Sequence, residues 1–196
     1  MKKVFLSVRE DYLTARKETR DSIDQKLVEW ILSINILPII ISNKFKINNL
    51  KNLESDGLII SGGSDIKSNT QRYFIDSYLL KWAKKNKKPV LGICYGMQFL
   101  SHKDGTRLIK IKGHIKKVNT IKSTFSYNFP KKIRCFHMYS FKKRPKNYFI
   151  TAVDKNGYVE GIKHKKLNWH GWMWHPEREK KFNKQLLKLA KKIFYK

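Results

Sequence analysis

PVLGICYGMQ, residues 89–98, decides the fold. Its first five residues are short, apolar and uncharged. They run through a Gly-X-Cys-X-Gly turn into YGMQFLS (95–101), which begins like a helix. An uninterrupted apolar run of this kind is a strand buried on both faces, as in a parallel sheet. Working outward, the same type of run recurs at Val4–Val8, in ILPIIIS (36–42) and in GLIIS (57–61). Between them, SIDQKLVEWILSI (22–34) carries Ile23, Leu27, Trp30, Ile31 and Ile34 at helical spacing. Ser22 and Gln25 have capping-box spacing, with Asp21 and Asp24 near the same helix N-terminus. A polar stretch (9–20) precedes that helix, and NKFKINNLKNLES (43–55) reads as a connection with one helical turn. TQRYFIDSYLLKWAKKNKK (70–88) is a second helix. The order β-α-β-β-α-β-α predicts an α/β fold with a mostly parallel sheet.

The second half changes character. TRLIKIKGHIKKVNTI (106–121) alternates as half-buried strands do. YFITAVDKNGYVEGIKH (148–164) reads as an antiparallel hairpin turning at Asn156-Gly157. NWHGWMWHPE (168–177) is a last strand, and residues 179–196 close the chain as a helix with Phe182, Leu186, Leu189 and Ile193 on one face. No repeat or linker divides the chain, so residues 1–196 read as one domain.

The chain has 43 Lys and Arg against 15 Asp and Glu, a formal net charge of +28. A polyanion partner is one reading of that charge. Only eight of the 43 are Arg, the residue best suited to planar phosphate recognition, so the excess reads first as a Lys-rich solvated surface. KKRPK (142–146) and the Lys face of the last helix fall under the same reading, and nucleic acid is not the expected partner. Two cysteines make no disulfide framework. The N-terminus has too short an apolar run for a secretory signal, and ILSINILPIII (31–41) is too short and too interrupted to span a membrane. A cytoplasmic protein is expected.

Three segments carry chemistry. At Cys94 a strand turns sharply into a helix, with Gly92 and Gly96 permitting the turn. The helix N-terminus favours a thiolate, against an ordinary thiol pKa of about 8.5. The Tyr95 N–H is placed to donate to an oxyanion. A buried structural Cys is the alternative. In WMWHPE (172–177), His175 and Glu177 are two apart, and in an extended segment they share a face. Glu177 could hold the imidazole while His175 activates a thiol; a strand-end His beside a solvated Glu is the alternative. In LIISGGSDI (58–66) a strand ends in Gly-Gly, and the Gly63 N–H is the candidate second oxyanion donor, a contribution of roughly 3–4 kcal/mol in the transition state.

Together these residues resemble a class I glutamine amidotransferase domain in the Cys-His-Glu order. SGGSDI (61–66), GICYGMQ (92–98), Gly113-His114, FHMYS (136–140) and EGIKH through WMWHPE are more like the γ-glutamyl hydrolase branch of that superfamily. The stretch ETRDSIDQ through ILPIIISN is similar to members found beside bacterial surface-polysaccharide genes. The resemblance implies a flavodoxin-like doubly wound sheet with helices on both faces, no cofactor, and hydrolysis of a γ-glutamyl amide through a thioester on Cys94. It implies that Gln98 and the backbone around Phe136 and His137 border the glutamyl head group. Tyr95 departs from the Arg common after the nucleophile in that branch. Lys67 and Ser68 stand where Pro is frequent, so the leaving group is open.

Other residues are less specific. The six His show no metal-ligand spacing, so no metal is expected. His114 and His137 match pocket positions, and are otherwise surface His. Cys135 reads as packing. Arg9 lies at the ligand edge of such a sheet, and Arg20 and Arg178 flank the motifs. All three could bind an acidic leaving group or be plain surface charge. The leading expectation is a γ-glutamyl amide hydrolase, with a nucleotide phosphate on the amide nitrogen, as in capsule phosphoramidate synthesis, as one candidate substrate. The alternatives are a glutaminase subunit feeding ammonia to a separate synthetase and a non-enzymatic basic nucleic-acid binder.

Overall fold

The protein is described by a computed structural model over residues 1–50, 53–63, 65–67, 70–124 and 127–195. Ser64 of SGGSDI, Ser68 and the terminal Lys196 lie outside the described residues. In chain order the elements are β1 (Lys2–Ser7), β2 (Arg9–Leu13), β3 (Glu18–Ser22), α1 (Gln25–Ser33), β4 (Ile36–Ile41), α2 (Ile47–Leu50), β5 (Gly57–Ile60), α3 (Gln71–Lys85), β6 (Val90–Ile93), α4 (Tyr95–Lys103), β7 (Ile109–Lys110), β8 (Ile115–Ser123), β9 (Lys132–Phe136), β10 (Tyr139–Ser140), β11 (Tyr148–Asp154), β12 (Val159–His164), β13 (Trp169–Trp172) and α5 (Lys184–Phe194). Nine strands form one sheet in the order β4-β1-β5-β6-β13-β12-β11-β8-β9. The first five are parallel. The remaining pairings are antiparallel.

The apolar runs are continuous because both faces of the parallel half are covered. Val4, Leu6, Ile59, Leu91 and Ile93 pack with Leu27, Trp30 and Ile31 of α1 and with Leu186, Ala190 and Ile193 of α5. Their strand neighbours Phe5, Leu58, Ile60 and Val90 pack on the other side, with Ile75 and Leu79 of α3 and Met97, Phe99 and Leu100 of α4. Each fully buried large apolar side chain contributes about 1.5–3 kcal/mol against exposure. The fold is therefore the expected doubly wound α/β sheet, extended by an antiparallel half.

Several local expectations change. The polar stretch after β1 is an antiparallel ribbon, β2–β3, with Asp11 opposite Arg20. Its side chains are mostly exposed or half-buried, so backbone pairing holds it without a hydrophobic period. Ser22 ends β3 and is held extended, so Asp24 caps α1 instead, its Oδ1 accepting from the Lys26 N–H at 3.0 Å. Asp21 accepts from the Ser42 hydroxyl at 2.6 Å and the Asn43 N–H at 3.0 Å, tying the ribbon to the end of β4. Along β8, Ile115 and Val118 are exposed and Ile121 reaches the core. Its alternation therefore marks pairing more than burial. The 148–164 hairpin stands, its turn held by Asp154 Oδ1, which accepts from the N–H groups of Asn156 and Tyr158. Among the described residues no helix is long and apolar enough to cross a membrane.

Candidate active site

Cys94 sits at the junction of β6 and α4, with φ 51° and ψ −102°. Its N–H donates to the Trp172 carbonyl at 2.8 Å, which ties the elbow to β13. A positive φ at a non-glycine residue is costly and persists only where the surroundings enforce it. Here the enforcing contact is the seating of α4 on the sheet. A Cβ on Gly92 would lie 2.5 Å from the Gly96 carbonyl carbon, and one on Gly96 would collide with the Ile60 carbonyl oxygen. Both obstacles are backbone and cannot move aside.

His175 and Glu177 come together by a route that alternation does not describe. β13 stops at Trp172; His175 has an extended backbone, and Pro176–Arg178 is a 3₁₀ turn that curls Glu177 back. His175 Nδ1 then donates to Glu177 Oε1 at 2.5 Å, with both side chains buried. The pairing leaves Nε2 to face the Cys94 side: an added Cβ on Gly62 would stand 3.4 Å from His175 Nε2 and close to Cys94 as well. The His175 N–H donates to the Arg134 carbonyl at 3.1 Å, and the Phe136 ring meets the imidazole edge-on. Burial works against charge on either group. For Cys94 the facing His175 outweighs it and holds the thiol below its ordinary value. For His175 the charges of Cys94 and Glu177 outweigh it and raise the imidazole to about 10. A thiolate–imidazolium pair is what this arrangement favours, and such a pair is chemically fit for attack on a carbonyl carbon.

The Gly62-Gly63 turn closes over this pair. A Cβ on Gly62 would stand 2.7 Å from His175 Cε1 and 3.5 Å from Cys94 Cβ. Gly63 has φ +122° and packs against the Arg9 side chain. The turn is held from behind by Arg72, which sequence reasoning missed. Its guanidinium donates to the carbonyls of Ser61 at 2.7 Å and Gly62 at 3.2 Å, lies 3.7 Å from the centre of the Tyr95 ring and pairs with Asp76 at 3.3 Å. The signal was present: Arg72 and Asp76 are four apart on the face of α3 that also carries Ile75 and Leu79. Burial pushes the Asp76 carboxyl up, opposed by Arg72, Ser7 and Tyr95. Arg72→Met is therefore expected to cost about 3–5 kcal/mol, the usual loss when one partner of a buried pair is removed. The raised Asp76 carboxyl also sets the sign with pH. The cost should shrink as pH falls and Asp76 takes up a proton, which urea unfolding at neutral and acid pH would show.

Gln98 is buried, and its Nε2 donates to the Tyr139 carbonyl at 3.0 Å. It lines a cleft of about 600 Å³ with Ile66, Lys67, Arg107, Leu108 and Tyr139. Arg9 and Arg178 line a separate, narrower cavity of about 30 Å³ beside Gly63, His175 and Glu177. Arg178 lies 4.5 Å from the centre of the Phe136 ring and pairs with Asp24 at 3.4 Å, while Arg9 pairs with Asp11 at 2.8 Å. Arg20 is not brought to that cavity; it pairs with Glu18 on the ribbon. His114 and His137 are buried, not surface residues. With Glu160 they form a group, among the described residues, whose ligand atoms lie within 4.8 Å of one another, as a metal site would need. No spacing in the sequence signals it, because the three come from separate strands and loops. Cys135 is fully buried and its thiol is pushed up by burial, which suits packing.

A family model for class-I glutamine amidotransferases matches residues 17–191. The chain belongs to that family. It is 28% identical over 172 residues to a gamma-glutamyl-CDP-amidate hydrolase of Campylobacter jejuni subsp. jejuni serotype O:2, covering 83% of this chain and 82% of the relative. It is 31% identical over 170 residues to anthranilate synthase component 2 of Cyanophora paradoxa, covering 80% and 86%. It is 34% identical over 137 residues to a glutamine-hydrolysing GMP synthase subunit of Methanococcus vannielii, covering 65% and 67%. A solved structure of a GMP synthase subunit-like protein from Thermoplasma acidophilum superposes with a TM-score of 0.72 at 18% identity, over 98% of this chain and 93% of the other, a likeness of fold.

Proposed function

We propose that this class-I glutamine amidotransferase family member is a single-domain, cysteine-dependent hydrolase of a γ-glutamyl amide whose nitrogen is carried by a nucleotide phosphate. The observation that carries the reading is the buried Cys94 at its strained elbow, lying against Gly62 together with a buried His175 that is itself locked by Glu177 at 2.5 Å. The Cys94 thiolate attacks the γ-carbonyl carbon. The resulting oxyanion takes the N–H groups of Gly63 and Tyr95. His175 gives its proton to the leaving nitrogen as the C–N bond breaks, leaving a γ-glutamyl thioester and the amine. His175 then takes a proton from water, whose oxygen attacks the thioester. The C–S bond breaks, glutamate leaves, and the thiolate and imidazolium are restored. Glu177 holds the imidazole throughout. Gln98, with the backbone at Phe136 and His137, holds the glutamyl head group.

The similarity to a gamma-glutamyl-CDP-amidate hydrolase, over most of both chains, supports an anionic leaving group. Arg9 and Arg178, beside His175, are the cations assigned to its phosphates, with Arg20 on the adjoining ribbon as a more distant third. On this reading the chain works in the cytoplasm, in capsule phosphoramidate synthesis. Glutamate release is to be compared for glutamine, γ-glutamyl-GABA and a γ-glutamyl nucleotide phosphoramidate. The phosphoramidate is expected to be preferred. Arg9→Gln and Arg178→Gln should each raise its KM about tenfold, the scale of a lost charge-assisted hydrogen bond, and leave glutamine turnover unchanged. Equal turnover of all three substrates would remove the nucleotide from the proposal. The anthranilate synthase and GMP synthase relatives favour a second reading, a glutaminase subunit serving a synthetase. Under it, glutamine is turned over only when a partner chain is added.

A further inference from the structure

Three buried side chains turn polar atoms toward one spot, and the mechanism above uses none of those side chains. His114 stands just before β8, His137 just after β9, and Glu160 lies in β12, each 3% exposed or less. One ligand atom from each lies within 4.8 Å of the other two.

The distances separate a metal site from a direct hydrogen bond. Zinc–ligand bonds of about 2.0–2.1 Å at tetrahedral angles set the ligand atoms about 3.3–3.4 Å apart. His137 Nε2 is 3.4 Å and His114 Nε2 is 3.5 Å from the same Glu160 oxygen, Oε1. A ring N–H donating straight to a carboxylate would close to about 2.7–2.9 Å. Neither His137 Nε2 nor Glu160 Oε1 has a hydrogen-bond partner among the described residues, although both side chains are buried. Buried polar atoms left this way call for a partner, and one cation between them serves both.

The remainder of each side chain is already fixed. His114 Nδ1 faces the Lys112 carbonyl at 3.0 Å, and His137 Nδ1 faces the Tyr139 carbonyl at 3.1 Å. A carbonyl oxygen only accepts, so each Nδ1 carries a hydrogen, and the lone pair of the neutral ring lies on Nε2. Backbone carbonyls orient metal-ligating imidazoles in this manner. Glu160 Oε2 accepts from the Cys135 thiol at 3.9 Å, which leaves Oε1 for the shared spot. Asp154 Oδ2, 3.0 Å from His114 Nε2, brings a further oxygen. Its Oδ1 is held by the N–H groups of Asn156 and Tyr158.

We propose that His114, His137 and Glu160 form a buried Zn²⁺ site, with the Asp154 carboxylate closing the fourth position. Two imidazoles with carboxylate oxygens in a four-coordinate shell suit zinc. With every position taken by protein, the ion has a structural role. It joins the segment before β8, the loop after β9 and strand β12, three parts of the antiparallel half. The Tyr139 carbonyl that fixes His137 also accepts from Gln98 Nε2, so the same ion steadies Gln98. Because its ligands are buried, the ion enters as this half folds. The site stands whether or not Cys94 is the nucleophile.

The test is the zinc content of the whole protein, produced in minimal medium with and without added zinc and measured by elemental mass spectrometry. Wild type and Cys94→Ala are compared, since the substitution removes the thiol as a competing ligand. One zinc per chain is expected in both. The zinc-loaded protein should unfold about 5–10 °C above the metal-free one, the shift for a chain of this size with free ion at about a hundred times its Kd. His114→Gln and Glu160→Gln should each lose the zinc and the shift. No zinc in the wild type made with added zinc overturns the proposal. Zinc held by the wild type but lost from folded Cys94→Ala also overturns it, because that ion belongs to the thiol. So does one zinc per chain in both ligand variants. If the variants do not fold, X-ray absorption at the zinc edge of the wild type decides. A shell of two imidazoles without sulfur supports the site, and a shell with sulfur or with fewer imidazoles overturns it.

Discussion

Cys94→Ala is expected to abolish glutamate release, by about 10⁴-fold or more, the scale found when a covalent nucleophile is removed, and to leave the protein folded. The two halves of that result have separate causes. Alanine keeps the Cβ of Cys94 beside Gly62 and adds no new strain at φ 51°, since cysteine already bears it. What is lost is the sulfur, and with it the bond that the proposed thioester requires. No neighbouring nucleophile replaces it: Cys135 is fully buried with its thiol pushed up. Glutamate release from the preferred substrate, with thermal unfolding of the same sample, checks both halves. Release at a measurable fraction of the wild-type rate would remove Cys94 from the mechanism. Loss of folding along with activity would show that the thiolate–imidazolium pair also stabilises the elbow.

His175→Gln is expected to lower kcat by about 10²–10⁴-fold, the usual contribution of a general acid–base, and to move the Cys94 titration in a defined direction. In the wild type the thiol is held down because His175 outweighs burial, while His175 stays protonated up to about 10. The ion pair therefore exists from the lowered thiol pKa up to about pH 10, and alkylation should be fast throughout that window. In the variant, burial remains and the largest opposing charge is gone. The thiol midpoint should then rise above that of a free cysteine, near 8.5, and alkylation near neutral pH should become slow. An alkylation profile with an unchanged midpoint would mean that the thiol is activated without His175. Glu177→Gln separates orientation from charge. It keeps a carbonyl oxygen for Nδ1–H but removes the carboxylate, so its loss should be smaller.

The parts of this site differ in how far they could be read from the chain. The elbow was legible because its requirements are local: Gly92 and Gly96 are where α4 meets the backbone of the sheet, and the stretch records that contact directly. The nearness of His175 and Glu177 was also legible, though for a reason the structure replaces, since a 3₁₀ turn and not a strand brings them together. The β2–β3 ribbon was not legible, because its side chains are mostly exposed or half-buried and leave no apolar period to detect. The Asp24 cap displaced the Ser22 cap because strand pairing, set by residues earlier in the chain, kept Ser22 extended.

By itself the sequence determined the α/β class, the parallel core strands, the helices that cover both faces and the position of the thiol elbow. Each of these follows from backbone preference, apolar period or glycine placement within a few residues. Only the tertiary structure decided which polar groups face one another. Arg72 reaches the carbonyls of the Gly62 turn from another element, and Glu160 faces two histidines that precede it in the chain by many residues. A buried charge is tolerated only where a partner meets it, and that partner is chosen by how distant strands and helices pack.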